Sequence, residues 1–167
     1  MGETSRRPSK RLLRANPNEL SSVAQLTEAG PPTPHLVLNM KTAFVTGGAT
    51  GIGAAVIRKF VSEKLRVGFI DNNVGAGESL AAELGSDSVL FLSGDVRDDS
   101  FQKEAVRLTT DRFGDLSAVF ANAGIHQSNT ILDVSDEDLN GILDINVKGV
   151  VYTLRHAVPS LIKSGGG

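Results

Sequence analysis

The 167-residue chain contains no cysteine, so disulfides and thiolate metal sites are both closed to it. That absence leaves a reducing compartment, the cytoplasm, as the default expectation. The three histidines, His35, His126 and His156, are scattered without ligand spacing, and no structural metal is expected. No stretch approaches the roughly 18 uninterrupted apolar residues of a membrane-crossing helix, so no membrane partner is expected. Tryptophan is missing and Tyr152 is the one tyrosine. What is present, 40% hydrophobic and 22% charged residues, suits one soluble globular domain with a buried core.

The net charge of -2 conceals an asymmetry. Residues 1–39 carry five basic side chains against three acidic ones, and residues 40–167 carry twelve against sixteen. The second part is therefore not expected to bind nucleic acid. The first part lacks a sustained apolar period and closes with Gly30-Pro31-Pro32-Thr33-Pro34, which cannot continue a helix. It reads as a mostly disordered extension with at most a short helix around 19–26. No apolar core or cleavage pattern follows its basic cluster, which argues against a targeting segment. Met40 stands directly before the first strand, and a start of translation there is an alternative expectation.

The richest stretch is Thr46-Gly47-Gly48-Ala49-Thr50-Gly51-Ile52-Gly53. It follows the apolar run Ala43-Phe44-Val45 and leads into a helical pattern in which Ile52, Val56 and Phe60 recur at four-residue spacing. Strand, glycine turn and helix in that order place the N-H groups of a helix's first turn, and its positive dipole end, against the loop. Gly47 can take backbone angles closed to other residues, and Gly51 and Gly53 allow close approach to the backbone. A nucleotide pyrophosphate is the natural occupant.

From Lys41 onward, strand-length apolar runs alternate with helical patterns in units of about 25 residues. The alternation implies an α/β fold with a parallel sheet and right-handed crossovers. Strands are expected at about 42–47, 66–71, 89–92 and 116–120, and helices at about 52–64, 74–84, 99–113 and 136–163. Strand two ends at Asp71, 18 residues after Gly53, where a carboxylate accepts hydrogen bonds from adenosine ribose hydroxyls. It would repel an added 2'-phosphate by on the order of 1–4 kcal/mol per charge pair. No Arg or Lys lies beside Asp71 or within the glycine loop, so NAD is favoured over NADP. A purely local role, capping the next helix, is compatible with this. Strand three ends at Ser93-Gly94-Asp95-Val96, which brings Asp95 to the ligand-binding edge of such sheets, although a simple turn aspartate fits as well. Strand four ends at Ala121-Asn122-Ala123-Gly124, where small residues let the backbone pass close to a cofactor and Asn122 can pin the turn. In the last helix, Ser135 offers an N-cap before three acids, and Asn146 interrupts the apolar stripe of Ile142 and Val150. A buried amide there would need a specific partner.

Taken together, Thr-Gly-x-x-x-Gly-x-Gly, Asp71, Asp95-Val96, Asn122-Ala123-Gly124 and Asn146-Val147-Lys148-Gly149 resemble the short-chain dehydrogenase/reductase family over roughly residues 41–163. The resemblance implies a Rossmann-type, doubly wound parallel sheet of about four strands in the order 3-2-1-4, incomplete, with helices on both faces. By it, Gly47, Gly51, Ile52 and Gly53 hold the pyrophosphate, Asp71 the adenosine ribose, Asp95 and Val96 the adenine, and Asn122 the turn beside the cofactor. Asn146 would order a water in a proton relay. Ala121 departs from the family's usual Asn at that place.

The resemblance further implies hydride transfer between NAD and a secondary alcohol or ketone, with later helices forming a homo-oligomer. The loop 125–130 would border the substrate. The family's Ser and Tyr-x-x-x-Lys have no counterpart in these 167 residues: Tyr152 is followed four places on by His156, and Ser164 precedes the expected strand five. The chain thus reads as part of a longer enzyme, inactive alone, with strand four an exposed edge where the family's sheet would continue through strands five to seven. A non-catalytic nucleotide-binding or interaction protein is the alternative, and the coding frame beyond Gly167 discriminates the two. If translation starts at Met40, the intact mass of the natively expressed protein will match a product beginning there; a product beginning at Gly2 overturns that expectation.

Overall fold

A computed structural model describes residues 41–165. The expectations of a disordered extension at 1–39 and a short helix at 19–26 lie outside the described residues. Four strands, β1 (Thr42–Thr46), β2 (Arg66–Asp71), β3 (Val89–Ser93) and β4 (Leu116–Ala121), form one parallel sheet in the order β3-β2-β1-β4. Between them run α1 (Gly51–Ser62), α2 (Val74–Leu84) and α3 (Asp99–Phe113). After β4 come α4 (Asp136–Ile142), a π-helical stretch (Leu143–Gly149) and α5 (Val150–Lys163). Among these helices none is long and apolar enough to cross a membrane.

The strand residues divide by parity because successive side chains point to opposite faces. Ala43, Val45, Val67 and Phe69 join Ala54, Ile57 and Leu80 of α1 and α2 in one buried cluster. Phe44, Ile70 and Leu116 join Ala105 and Val106 of α3 and Ala157 of α5 in the other. Helices therefore cover both faces, and β1, with a neighbour on each side, is buried throughout. Among the described residues β4 pairs with β1 alone, and apart from Leu116 its residues are half-buried.

Each crossover is closed by local chemistry. Asn73 caps α2 by accepting from the Ala76 N-H, and Asp98 caps α3 by accepting from the Phe101 N-H. Ser135 and Asp138 form a reciprocal capping box at α4. Gly85 and Gly114 end α2 and α3 with positive φ of 82° and 91°.

In α1 the buried residues are Gly53, Ala54 and Ile57, and Phe60 packs partly buried against the same core cluster, whereas Ile52 is 70% exposed. One expectation needs correction. The last helix is not one α-helix over 136–163, because the π stretch widens its middle and breaks the four-residue stacking. Asn146 falls in that stretch and is exposed, not buried within an apolar stripe.

Gly68 in β2 gives way to the buried Thr109 of α3, whose Oγ1 and Cγ2 would lie 2.0 Å and 2.4 Å from an added Cβ. Gly68→Ala is therefore expected to destabilise the fold by about 1–3 kcal/mol through overpacking. Urea unfolding checks this, and an unchanged midpoint would show that α3 can move aside.

Candidate functional site

The parallel register sets Thr46 beside Ile70 and Ala121, and Asp71 beside Ser93. The loops that follow all four strands consequently leave the sheet at one edge. The first is the glycine loop. Gly47 has φ +64°, and a Cβ there would lie 2.7 Å from the Ala123 Cα. At Gly53 a Cβ would lie 2.0 Å from the Gly47 carbonyl oxygen and 2.9 Å from Asn122 Nδ2. The loop thus folds onto the first turn of α1 and is held there by the turn after β4. Gly51 faces open space, with nothing within 4 Å of a Cβ position.

The start of α1 lacks the compensation that α2, α3 and α4 receive. Thr50 makes no side-chain bond to the first turn, and the turn contains no acid. Its N-H groups and the dipole's positive end are left for an anion.

Asp71 ties the next loop to the first. Its Oδ2 accepts from the Ala49 N-H at 2.9 Å and its Oδ1 from the Asn73 N-H at 2.9 Å. The local role considered for Asp71 is therefore not helix capping, which Asn73 performs. Each carboxylate oxygen retains acceptor capacity for a further donor. Asp95 accepts from the Arg97 N-H at 2.9 Å and takes a bidentate contact from its guanidinium, with Nε 2.9 Å from Oδ2. The Arg97 guanidinium holds the Asp95 carboxyl below the usual carboxylate range, against the opposing effect of partial burial. Val96 turns inward and is buried in the second core cluster.

Asn122 pins the turn after β4 by donating from Nδ2 to the carbonyls of Gly47 at 2.9 Å and Thr46 at 3.2 Å. In return Thr46 Oγ1 accepts from the N-H groups of Asn122 and Ala123, each at 3.1 Å. Asn146 finds its partner in Ile125: its Oδ1 accepts from the Ile125 N-H at 2.9 Å and its Nδ2 donates to the Ile125 carbonyl at 2.8 Å. The amide is thus satisfied at the surface by a two-bond clamp.

These loops enclose a cavity of about 390 Å³. Gly47, Gly51, Ile52, Asp71, Asp95, Val96 and Asn122 all line it. Gly53 lies beneath the wall as the contact for Gly47, and Asn146 reaches the wall through Ile125. The polar groups fit a nucleotide cofactor: open glycine backbone and helix N-H groups as donors, and the carboxylates of Asp71 and Asp95 as acceptors.

A family model described as short chain dehydrogenase matches residues 41–167. The chain belongs to the short-chain dehydrogenase family. It is 34% identical over 130 residues to short-chain dehydrogenase reductase 4 of Arabidopsis thaliana, covering 77% of this chain and 44% of that protein. It is also 34% identical to a cis-2,3-dihydrobiphenyl-2,3-diol dehydrogenase of Pseudomonas putida, covering 77% and 48% of the two chains. Among solved structures, a putative short-chain dehydrogenase from Novosphingobium aromaticivorans superposes with a TM-score of 0.70 at 29% identity, covering 76% and 49%. A short-chain dehydrogenase/reductase from Brucella melitensis gives a TM-score of 0.69 at 28% identity, covering 72% and 51%. The chain spans about half the length of the curated relatives it matches.

For a short-chain dehydrogenase, the sequence reading passed over two residues of consequence. Thr46 reads as the end of a strand, and only the register reveals its hydroxyl beneath the turn after β4. Arg97 lies far in sequence from Asp71, yet both line the same cavity. The spacing Asp95-x-Arg97 is the signal that could have found it. Because Asp95 gains a cation in the folded state, its ionised form is favoured, and the pair's stabilisation is present above the unfolded pKa near ~3.9 and lost as pH falls through the depressed folded value. Arg97→Met is expected to move the Asp95 titration, followed by carboxyl-carbon NMR, to higher pH; an unmoved titration would show that Arg97 does not govern it.

Proposed function

We propose that this chain supplies the cofactor-binding part of an NAD-dependent oxidoreductase that interconverts a secondary alcohol and a ketone. The observation that carries the reading is the cavity itself, which an uncompensated helix start, the Asp71 carboxylate and the Asp95 carboxylate line together. When bound, the cofactor supplies the hydride acceptor or donor. The first-turn N-H groups of α1, around Gly51 and Ile52, hold the pyrophosphate, and Gly47 and Gly53 keep the loop thin enough to let it approach. Asp71 accepts from the adenosine ribose hydroxyls with the acceptor capacity that Ala49 and Asn73 leave. Asp95 and Val96 bound the adenine, and Asn122 keeps the turn after β4 beside the cofactor. Asn146 spends one donor and one acceptor on Ile125 and retains one of each for a water in the proton relay.

The preference for NAD over NADP rests on charge. Arg97 is the cation lining this cavity, and its guanidinium is engaged by Asp95. Asp71 therefore stands without a neighbouring cation to receive a 2'-phosphate. The substrate is a small alcohol or ketone bordered by residues 125–130, and the assembly is a homo-oligomer in the reducing environment of the cytoplasm. The family's proton-transferring Ser and Tyr-x-x-x-Lys have no counterpart among these 167 residues.

Fluorescence titration of the 167-residue chain with NADH and NADPH tests the proposal. NADH is expected to bind at least tenfold more tightly than NADPH, and Asp71→Ala to bring the two affinities together. Equal affinities before substitution, or a ratio unmoved by it, would remove Asp71 from the role. The same chain is expected to show no alcohol-dependent NAD reduction, and turnover at an ordinary enzymatic rate would overturn its reading as the cofactor-binding part alone.

A further inference from the structure

Gln102 is a fully buried amide on α3, at 0% exposure, and no motif drew attention to it. Its Nε2 donates to the Val96 carbonyl at 2.6 Å and to the Gly149 carbonyl at 3.0 Å. Its Oε1 accepts from the Thr153 hydroxyl at 2.7 Å, and that hydroxyl also lies 2.8 Å from the Gly149 carbonyl. Three separate segments therefore converge on one side chain: the loop after β3, the end of the π stretch, and α5. The chemistry is specific to an amide, since two carbonyls require two N-H donors and the hydroxyl requires an acceptor. A carboxylate offers no donor, and an apolar side chain would leave the Thr153 hydroxyl to the Gly149 carbonyl alone and take the amide donor from the Val96 carbonyl in the core.

The same junction is closed sterically. Gly149 is buried, and a Cβ there would lie 3.0 Å from Val96 Cγ2. The π stretch thus rests directly on Val96. Val96 and Asp95 line the cavity, and Asn146, three residues before Gly149, clamps Ile125, which lines it too.

We infer that Gln102 is a positioning residue: through Val96 and Gly149 it fixes the loop carrying Asp95 and the π stretch carrying Asn146 at one spacing, so that a dinucleotide can meet Asp95 and the Asn146-held Ile125 together. The inference rests on the cofactor reading above for its consequence, but the mechanical link is measurable without any cofactor. Gln102 touches neither the cavity nor its occupant and acts through the residues it holds.

The test uses the 167-residue chain with Gln102→Leu, Thr153→Val and Thr153→Ser, and Thr109→Val as a control. Thr109 is an equally buried α3 hydroxyl whose bond goes to the Ala105 carbonyl of its own helix. Hydrogen exchange of the Ile125 amide, which donates to Asn146, is read by NMR, and the NADH dissociation constant by fluorescence. Gln102→Leu is expected to speed Ile125 exchange and weaken NADH by about tenfold each, and Thr153→Val to shift both in the same direction by less. Thr153→Ser, which keeps the hydroxyl, should restore wild-type values, and Thr109→Val should move only the unfolding midpoint. Should Gln102→Leu fail to fold, Thr153→Val against Thr153→Ser decides the matter. Ile125 exchange within twofold of wild type in the folded variants overturns the inference. If the unsubstituted chain binds no NADH, the cofactor reading falls, and Ile125 exchange alone still decides the link.

Discussion

The architecture of the cavity depends on how closely Gly53 approaches the carbonyl of Gly47. That contact leaves no room for a Cβ, and it turns the loop back so that the start of α1 faces the sheet edge. Once the loop is folded in this way, Asn122 can reach both the Gly47 and Thr46 carbonyls, and Asp71 can reach the Ala49 N-H. Each bond is made by a strand adjacent to β1, from β4 on one side and β2 on the other. The glycine loop is therefore a shared keystone for three loops. A bulkier residue at position 53 would separate the three together.

Parallel pairing explains why carboxylates collect at this edge while the anion-binding element is also there. The strands end in register, so the residues that follow them are neighbours whatever their distance in sequence. Asp71 and Asp95 would repel each other's approach to a shared anionic ligand if left bare. The structure moderates this by giving Asp71 two backbone donors and Asp95 a guanidinium. Both carboxylates keep free acceptor capacity, while the helix start that follows the glycine loop carries the opposite polarity. Such alternation of donor and acceptor matches a molecule with a charged middle and hydroxyl- or amine-bearing parts beyond it.

Much of this was legible in the residues. Strand and helix order, the capping residue Ser135, and the sheet order follow from apolar periodicity, turn chemistry and family resemblance, and the structure agrees. The misplaced residue has its cause in helix geometry. Ile142, Asn146 and Val150 align only on an uninterrupted α-helix, and the π stretch removes that alignment. Periodicity reports which residues share a face; tertiary contacts decide where the face points. Arg97 and Thr46 escaped for a related reason, because their partners are assembled by strand register and loop return.

The exposure of Asn146 sharpens what such a residue can do. A buried amide of the kind anticipated from the sequence would spend all its capacity on neighbours and have nothing for water. On the wider π stretch the same side chain reaches Ile125 with one donor and one acceptor and keeps the rest at the surface. Its position is then set by backbone on both sides: by the clamp at Ile125 and by the seating of Gly149 on Val96. Exposure and precision are compatible here because the amide is held through main-chain groups and the helix that carries it is held from within the core. A polar residue at the rim of a cavity can thus be ordered without being buried, which is the condition a water-ordering group has to meet.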